Sequence, residues 1–403
     1  MTATNSVSFG SVGYIAQSSG STGALIIDGG NVDFSNQPLF VADNGTGYLS
    51  MSNGTCSTTS SLIVGHGDGG VGTFDMDGDS LLQSNGIRIG GRLGSEGVWN
   101  ISGGTANLQY TETGSCFILG HMSGATGTVN QSGGLVITGY MNIGEGNTGD
   151  GIYDTRGVYN LSGGELRINW WRMAIGDQND SVGILNMTGG ILNMVGGDIE
   201  LGNAPGADGS FYFSNGVVTA PGRRIHIGKV NEATGYAEQS GGADTYRGIR
   251  VGSGSGGTGT YDLKGGTIYI ADREISVGHN TDSVGTMNVS GGSISFGYIP
   301  ETNYPSGFTD TLVVGRVGLG TVNQDGGLVD TTGTPYGYTW LGGHEVTVTL
   351  PLDPPEILTW TTGTTGVGIY NLSDNGSLTT LGLIVGGVGA GTFNQSGGTV
   401  TAT

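Results

Sequence analysis

The side chains best placed for chemistry are acidic and sit in two loops. Glu145, Asn147, Asp150 and Asp154 follow Gly144, and Asp177, Asn179 and Asp180 follow Gly176, each set closing one of two consecutive copies of a repeated phrase. Oxygen donors brought together from adjacent turns of chain are what calcium takes, so Glu145, Asp150, Asp154, Asp177 and Asp180 form the candidate metal site. The plain alternative is a solvated acidic edge. The five histidines, His66, His121, His226, His279 and His344, fall at different places in the repeat and have no zinc-ligand spacing. Acid–base cleavage of a polysaccharide would need carboxylates and Arg, Lys or His at one place in neighbouring copies. The chain has 13 Lys and Arg in all, and Arg223-Arg224 and Lys264 stand apart from one another. The expectation is a protein with no catalytic residues, no enzyme activity and no cofactor other than calcium.

The elements that would position these residues come from the repeat itself. GTFDMDGDSL at Gly72, GVWNISGGTA at Gly97, GTVNQSGGLV at Gly127, GVYNLSGGEL at Gly157 and GILNMTGGIL at Gly183 are copies, and looser ones extend the series from Gly23 to Gly391, fourteen in total. A unit of about 25 residues is too short for a domain, so each must bury its apolar face against its neighbours. Counting the first Gly as offset zero, offset two is apolar (Phe74, Trp99, Val129, Tyr159, Leu185), as is offset four (Met76, Ile101, Leu161, Met187). That is the alternation of a strand with one buried face. Paired glycines at offsets six and seven allow a sharp bend, and an apolar-any-apolar-Gly tetrad, as in Ile249-Arg250-Val251-Gly252, closes the unit. The pattern predicts an all-β, single-stranded parallel β-solenoid (β-helix) of about 14–15 coils with almost no helix. Residues 1–22 read as an N-terminal half-coil and arm. Residues 23–403 read as one continuous solenoid with insertions at about 296–308 and 344–361.

Asn recurs at offset three (Asn100, Asn130, Asn160, Asn186, Asn288, Asn323, Asn371, Asn394), where identical amides on successive rungs can hydrogen-bond along the stack. Gln131, Gln239, Gln324 and Gln395 sit at an inward offset and need partners, which the corner backbone can supply. Cys56 and Cys116 lie about two rungs apart, beyond the ~7 Å reach of a disulfide, and are expected as free, packed thiols.

The phrases GTVNQSGGLV at Gly127, GTVNQDGGLV at Gly320 and GTFNQSGGTV at Gly391 resemble the β-strand repeats of bacterial autotransporter passengers and PEP-CTERM surface proteins. The resemblance covers almost the whole chain. It implies a parallel β-helix and carries no catalytic residues. The family's C-terminal membrane barrel and apolar PEP-type tail are not seen here.

A formal charge of −20 disfavours nucleic acid and anionic membranes as partners, and no apolar run is long enough for a membrane-spanning helix. An acidic, Lys-poor, Cys-poor chain suits an extracellular or cell-surface location. The last copy stops after its first half, while Gly13-Tyr14-Ile15-Ala16 aligns with the closing tetrad of other copies. Tail and head of two chains would together make one coil, so the expected partner is a second copy. Gly13, Tyr14, Ile15, Phe393 and Val400 are the expected interface, in a filament that does not close on itself. The competing reading is a surface adhesin or viral fibre whose insertion aromatics (Tyr298, Tyr304, Tyr338, Trp340, Trp360) bind glycan, with a polysaccharide depolymerase further behind. The second insertion, from His344 to Thr361, is expected to be a hairpin standing off the solenoid.

Overall fold

The computed structural model describes residues 6–109, 116–146, 154–271, 273–297, 312–334, 337–350, 356–362 and 365–403, with 344–350 and 356–362 described at the backbone only. Among the described residues there are strands and turns but no helix. The strands stack in parallel as a β-solenoid of about 13 turns with ~26-residue coils. A turn needs three strands: row A from the first Gly, row B after the Gly pair, and row C in the tetrad. The count is below the expected 14–15 because a copy of the phrase is not always a full turn. Ala390–Gln395 and Thr399–Ala402 supply rows A and B alone.

The chain packs as two compact units, Met1–Tyr212 with Gly216–Val218, and Phe213–Asn215 with Thr219–Thr403. In the first, row A stacks Gly72, Gly97, Gly127, Gly157 and Gly183 in register. In the second it stacks Gly235, Gly259, Gly285, Gly320, Gly368 and Gly391. The reason is steric. A Cβ on Gly97 or Gly127 would run into the carbonyl oxygen of Val64 or Ile89 in row C of the adjacent rung, so a side chain there would force the rungs apart. The second Gly of the corner pair meets a different demand, a φ of +77° at Gly104 and +74° at Gly190, which favours Gly.

Row A strands bury alternate residues, as the pattern predicts. Several row C strands do not. Leu62–Val64, Cys116–Leu119 and Met173–Ile175 in the first unit, and Ile275–Val277 and Leu312–Val314 in the second, are buried on both sides. Residues following the tetrad Gly contribute to this cover, as where the His66 ring packs 4.3 Å from Phe40. Inside the first unit Phe74 and Trp99 stack 5.3 Å apart, with Phe117 and Tyr159 continuing the column. Cys56 and Cys116 are free and buried, and burial pushes the Cys56 thiol up to about 12. His344–Leu350 and Glu356–Thr362 pair antiparallel in a separate two-stranded sheet, which is the expected hairpin.

Candidate functional site

The acidic loops end in protein partners. The Glu145 carboxylate lies 3.1 Å from His121 Nδ1. Asp177 accepts from Arg172 Nη2 at 2.7 Å and from Asn203 Nδ2 at 2.8 Å. Burial raises the Asp177 carboxyl, with Arg172 and Asn203 pulling against it. Asp154 and Asp180 are exposed, and Asp150 lies outside the described residues. Among the described residues no three His, Cys, Asp or Glu side chains gather as a metal site.

Two readings of the charged residues need correction. His66, His121 and His279 share one place, directly after a tetrad Gly, and face Asp43 at 2.6 Å, Glu145 at 3.1 Å and Ser276 at 2.9 Å. The basic residues also gather more than their spacing suggested. In the second unit Glu274 receives Arg316 at 3.1 Å and Arg250 at 3.5 Å. Burial would raise its carboxyl, but the guanidiniums of Arg316, Arg250, Arg224 and Arg273 hold it below the usual range. Beside it, burial and the charges of Arg250 and Arg316 keep His279 neutral. Coils with a basic residue before, within or after the tetrad bring these groups together although no single offset is shared. The arrangement is thus an ion-paired carboxylate beside an imidazole that its surroundings keep neutral.

Amides organise both units. Asn186, Asn160 and Asn130 each donate Nδ2–H to the Oδ1 of the preceding Asn at 2.8–2.9 Å, and Asn100 donates to Asp75 at 2.7 Å. In the second unit Asn394, Asn371 and Asn323 do the same, and Asn288 ends the ladder on Asp262 at 2.7 Å. A Tyr hydroxyl closes each ladder, Tyr48 on Asp75 and Tyr236 on Asp262. The inward glutamines find the expected corner carbonyls, as Gln131 Nε2 does at Gly133, Gly134 and Glu165. They also have a partner the sequence reading missed. Tyr159, Tyr261 and Tyr370, each one coil on, donate to Oε1 of Gln131, Gln239 and Gln324 at 2.5, 2.9 and 2.5 Å.

At the N-terminal edge Gly13–Ile15 pairs with Leu39–Val41 in row C, and Tyr14 stacks on Phe40 at 5.2 Å. Ser6–Ser8 pairs with Asn31–Asp33 in row B. At the other edge Phe393 tilts against Tyr370 at 5.6 Å, and Val400 lies in register with Leu378.

Of the arm aromatics, Tyr338 and Trp340 belong to the row C strand Tyr338–Leu341, between Leu312–Val314 and Gly382–Val385. They are part of the solenoid and not of a protruding arm, because their backbone completes a rung. Tyr298 and Tyr304 lie outside the described residues, as does the side chain of Trp360, whose backbone pairs with Val346. Sequence reasoning passed over Trp170 and Trp171, which are 49% and 64% exposed at a corner of the first unit. They sit in a corner of variable length, where the repeat makes no demand.

No family model matches the chain, and no curated protein or solved structure matches it. Among the described residues no helix is long and apolar enough to cross a membrane.

Proposed function

We propose that the chain is a non-catalytic, structural β-solenoid subunit that stacks head to tail, outside the cell or on its surface. One observation carries the reading. Inward positions that are sealed in inner coils, such as Leu49, Phe74, Trp99 and Tyr370, are left part-open in the last coil at Phe393 and Val400. Another coil laid on that edge would bury them and pair its open strands. Resemblance to surface-protein repeats, scarce cysteine and the acidic composition fit the location.

The stacking register follows from the three rows. Gly13–Ile15 of the next copy fills the row C place beyond Gly382–Val385, and the row A half of Thr22–Asp33 then lies on Ala390–Gln395. Thr399–Ala402 would then take the row B place under Asn31–Asp33, which Ser6–Ser8 holds in the free chain. Elongation therefore displaces Ser6–Ser8. Gln395, whose Nε2 donates to the Gly398 carbonyl at 3.3 Å, would meet Leu25 in place of a tyrosine. The joint is thus weaker than an internal rung.

Sedimentation and negative-stain imaging of the 403-residue chain test this. Deleting residues 1–12 removes the competing strand and should lengthen assemblies; deleting residues 1–22 also removes the row C filler and should leave folded monomers. A full chain that stays monomeric at high concentration, or a 1–22 deletion that still elongates, overturns the reading.

A further inference from the structure

Trp170 and Trp171 stand at the corner between the row B strand Glu165–Ile168 and the row C strand Met173–Ile175. Their backbone is fixed from both sides. Both N–H groups donate to the Gly139 carbonyl, at 3.1 and 2.9 Å. From the next coil Gly196 and Gly197 lie so close that a Cβ on either would collide with the backbone of Trp170 or Trp171. The Trp171 ring is also held. Tyr140 meets it edge-on at 5.9 Å, and the Arg172 guanidinium lies 5.9 Å from its centroid. Arg172 is itself anchored by Asp177 and Glu200. Two large rings are thus displayed on a rigid corner instead of folded onto the body, forgoing about 25 cal/mol for each Å² left in water. Apolar surface of this kind marks a contact site.

What surrounds the rings selects the partner. Ile191 and Val195 add further exposed apolar surface in the next coil, but polar groups interleave with them. Arg167 binds Glu165 at 2.8 Å, Asn193 donates to Glu165 at 3.1 Å, and Asn169 donates to Gln109 at 3.0 Å. A protein partner would favour a contiguous apolar centre. A polyanion, whether nucleic acid or acidic glycan, is repelled by a chain of net charge −20. Aromatic rings amid fixed amide and ion-pair groups match sugar rings, which present C–H faces for stacking and hydroxyls for hydrogen bonding.

We propose that this corner binds a neutral polysaccharide, stacking sugar rings on Trp170 and Trp171 while Arg167, Asn169 and Asn193 engage hydroxyls. It is independent of axial assembly. The test is native affinity electrophoresis of the full chain in gels containing hydroxyethyl cellulose, galactomannan, dextran or soluble starch. Albumin serves as the non-binding reference and polygalacturonate as the acidic comparison. Retardation by at least one neutral polymer is expected, with more than a tenfold loss in W170A/W171A and partial retention in W170F/W171F, at unchanged circular dichroism. Migration with albumin in all four neutral gels overturns the proposal. So does equal retardation of the alanine variant, stronger retardation by polygalacturonate, or loss of self-association as the sole effect of the alanine variant, which would make a second copy the occupant.

Discussion

Two buried aspartates, one in each unit, have nearly the same exposure and opposite surroundings. Asp177 in the first unit, 4% exposed, faces outward under its loop and meets Arg172 and Asn203 at 2.7 and 2.8 Å. Asp244 in the second unit, 3% exposed, occupies an inward row B position in register with Ile268. Neither of its carboxyl oxygens has a hydrogen-bond partner. The neighbouring Tyr246 hydroxyl is also without one. Burial pushes Asp244 well above the ordinary carboxyl range, with the Tyr246 hydroxyl pulling the other way. A corner can recruit long polar side chains from the coils on either side, whereas the inward rows are filled mostly by apolar side chains, which leaves the Tyr246 hydroxyl as the donor beside Asp244. The Gln–Tyr pairs are the exception, because each inward polar group there has its complement built into the following coil.

The largest effect is expected from placing Asp177 in the condition of Asp244. Arg172→Ala leaves a buried carboxylate with Asn203 alone, and removing one partner of a buried pair typically costs 3–5 kcal/mol. Because the Arg172 side chain is 31% exposed, about 3 kcal/mol is expected at neutral pH. A denaturation midpoint unchanged from wild type would show that the pairing contributes nothing.

The opposite change sharpens the contrast. Asp244→Val should stabilise the second unit by about 2 kcal/mol at pH 7, since it removes an unsatisfied buried polar group. The pH dependence fixes the sign. Asp244 binds its proton more tightly folded than unfolded, so its contribution is fully present below the unfolded carboxyl value of about 4 and is lost as pH rises toward the raised folded value. Wild-type stability measured by denaturant titration should therefore carry a component that falls upward from about pH 4, and the valine variant should lack it. Identical pH profiles would mean that Asp244 is solvated.

A smaller effect tests the exception. Tyr261→Phe leaves Gln239 Oε1 without its hydroxyl donor and should cost about 1–2 kcal/mol, most of which Gln239→Leu in the same chain restores. Costs that simply add in the double variant would deny that the two side chains act as a pair.

Much of this was legible before any coordinates. Glycine spacing set the rungs in register, and alternation at offsets two and four identified the inward face of row A. The Gln–Tyr partnership was missed although its signal is present: Tyr159, Tyr261 and Tyr370 at offset two each follow a coil carrying Gln at offset four, a link that appears only when neighbouring copies are read together. The Arg–Glu274 cluster was not legible, because Arg224, Arg250, Arg273 and Arg316 stand at different places around the tetrad. Their convergence depends on how each corner turns. Nor could alternation reveal that several row C strands are covered on both sides, although apolar tetrad centres such as Ile63 and Val313 hinted at it. Trp170 and Trp171 lie where the repeat has no rule to break.

The Gln–Tyr pairing also constrains how such a chain can grow by copying itself. A coil bearing Gln131 is chemically complete only when a coil bearing Tyr159 follows, so the heritable unit of duplication at these places is two coils and not one. A gene that copied or deleted a single coil there would orphan a buried amide or a buried hydroxyl. A repeat array of this kind is thus less freely editable than its monotonous phrase suggests.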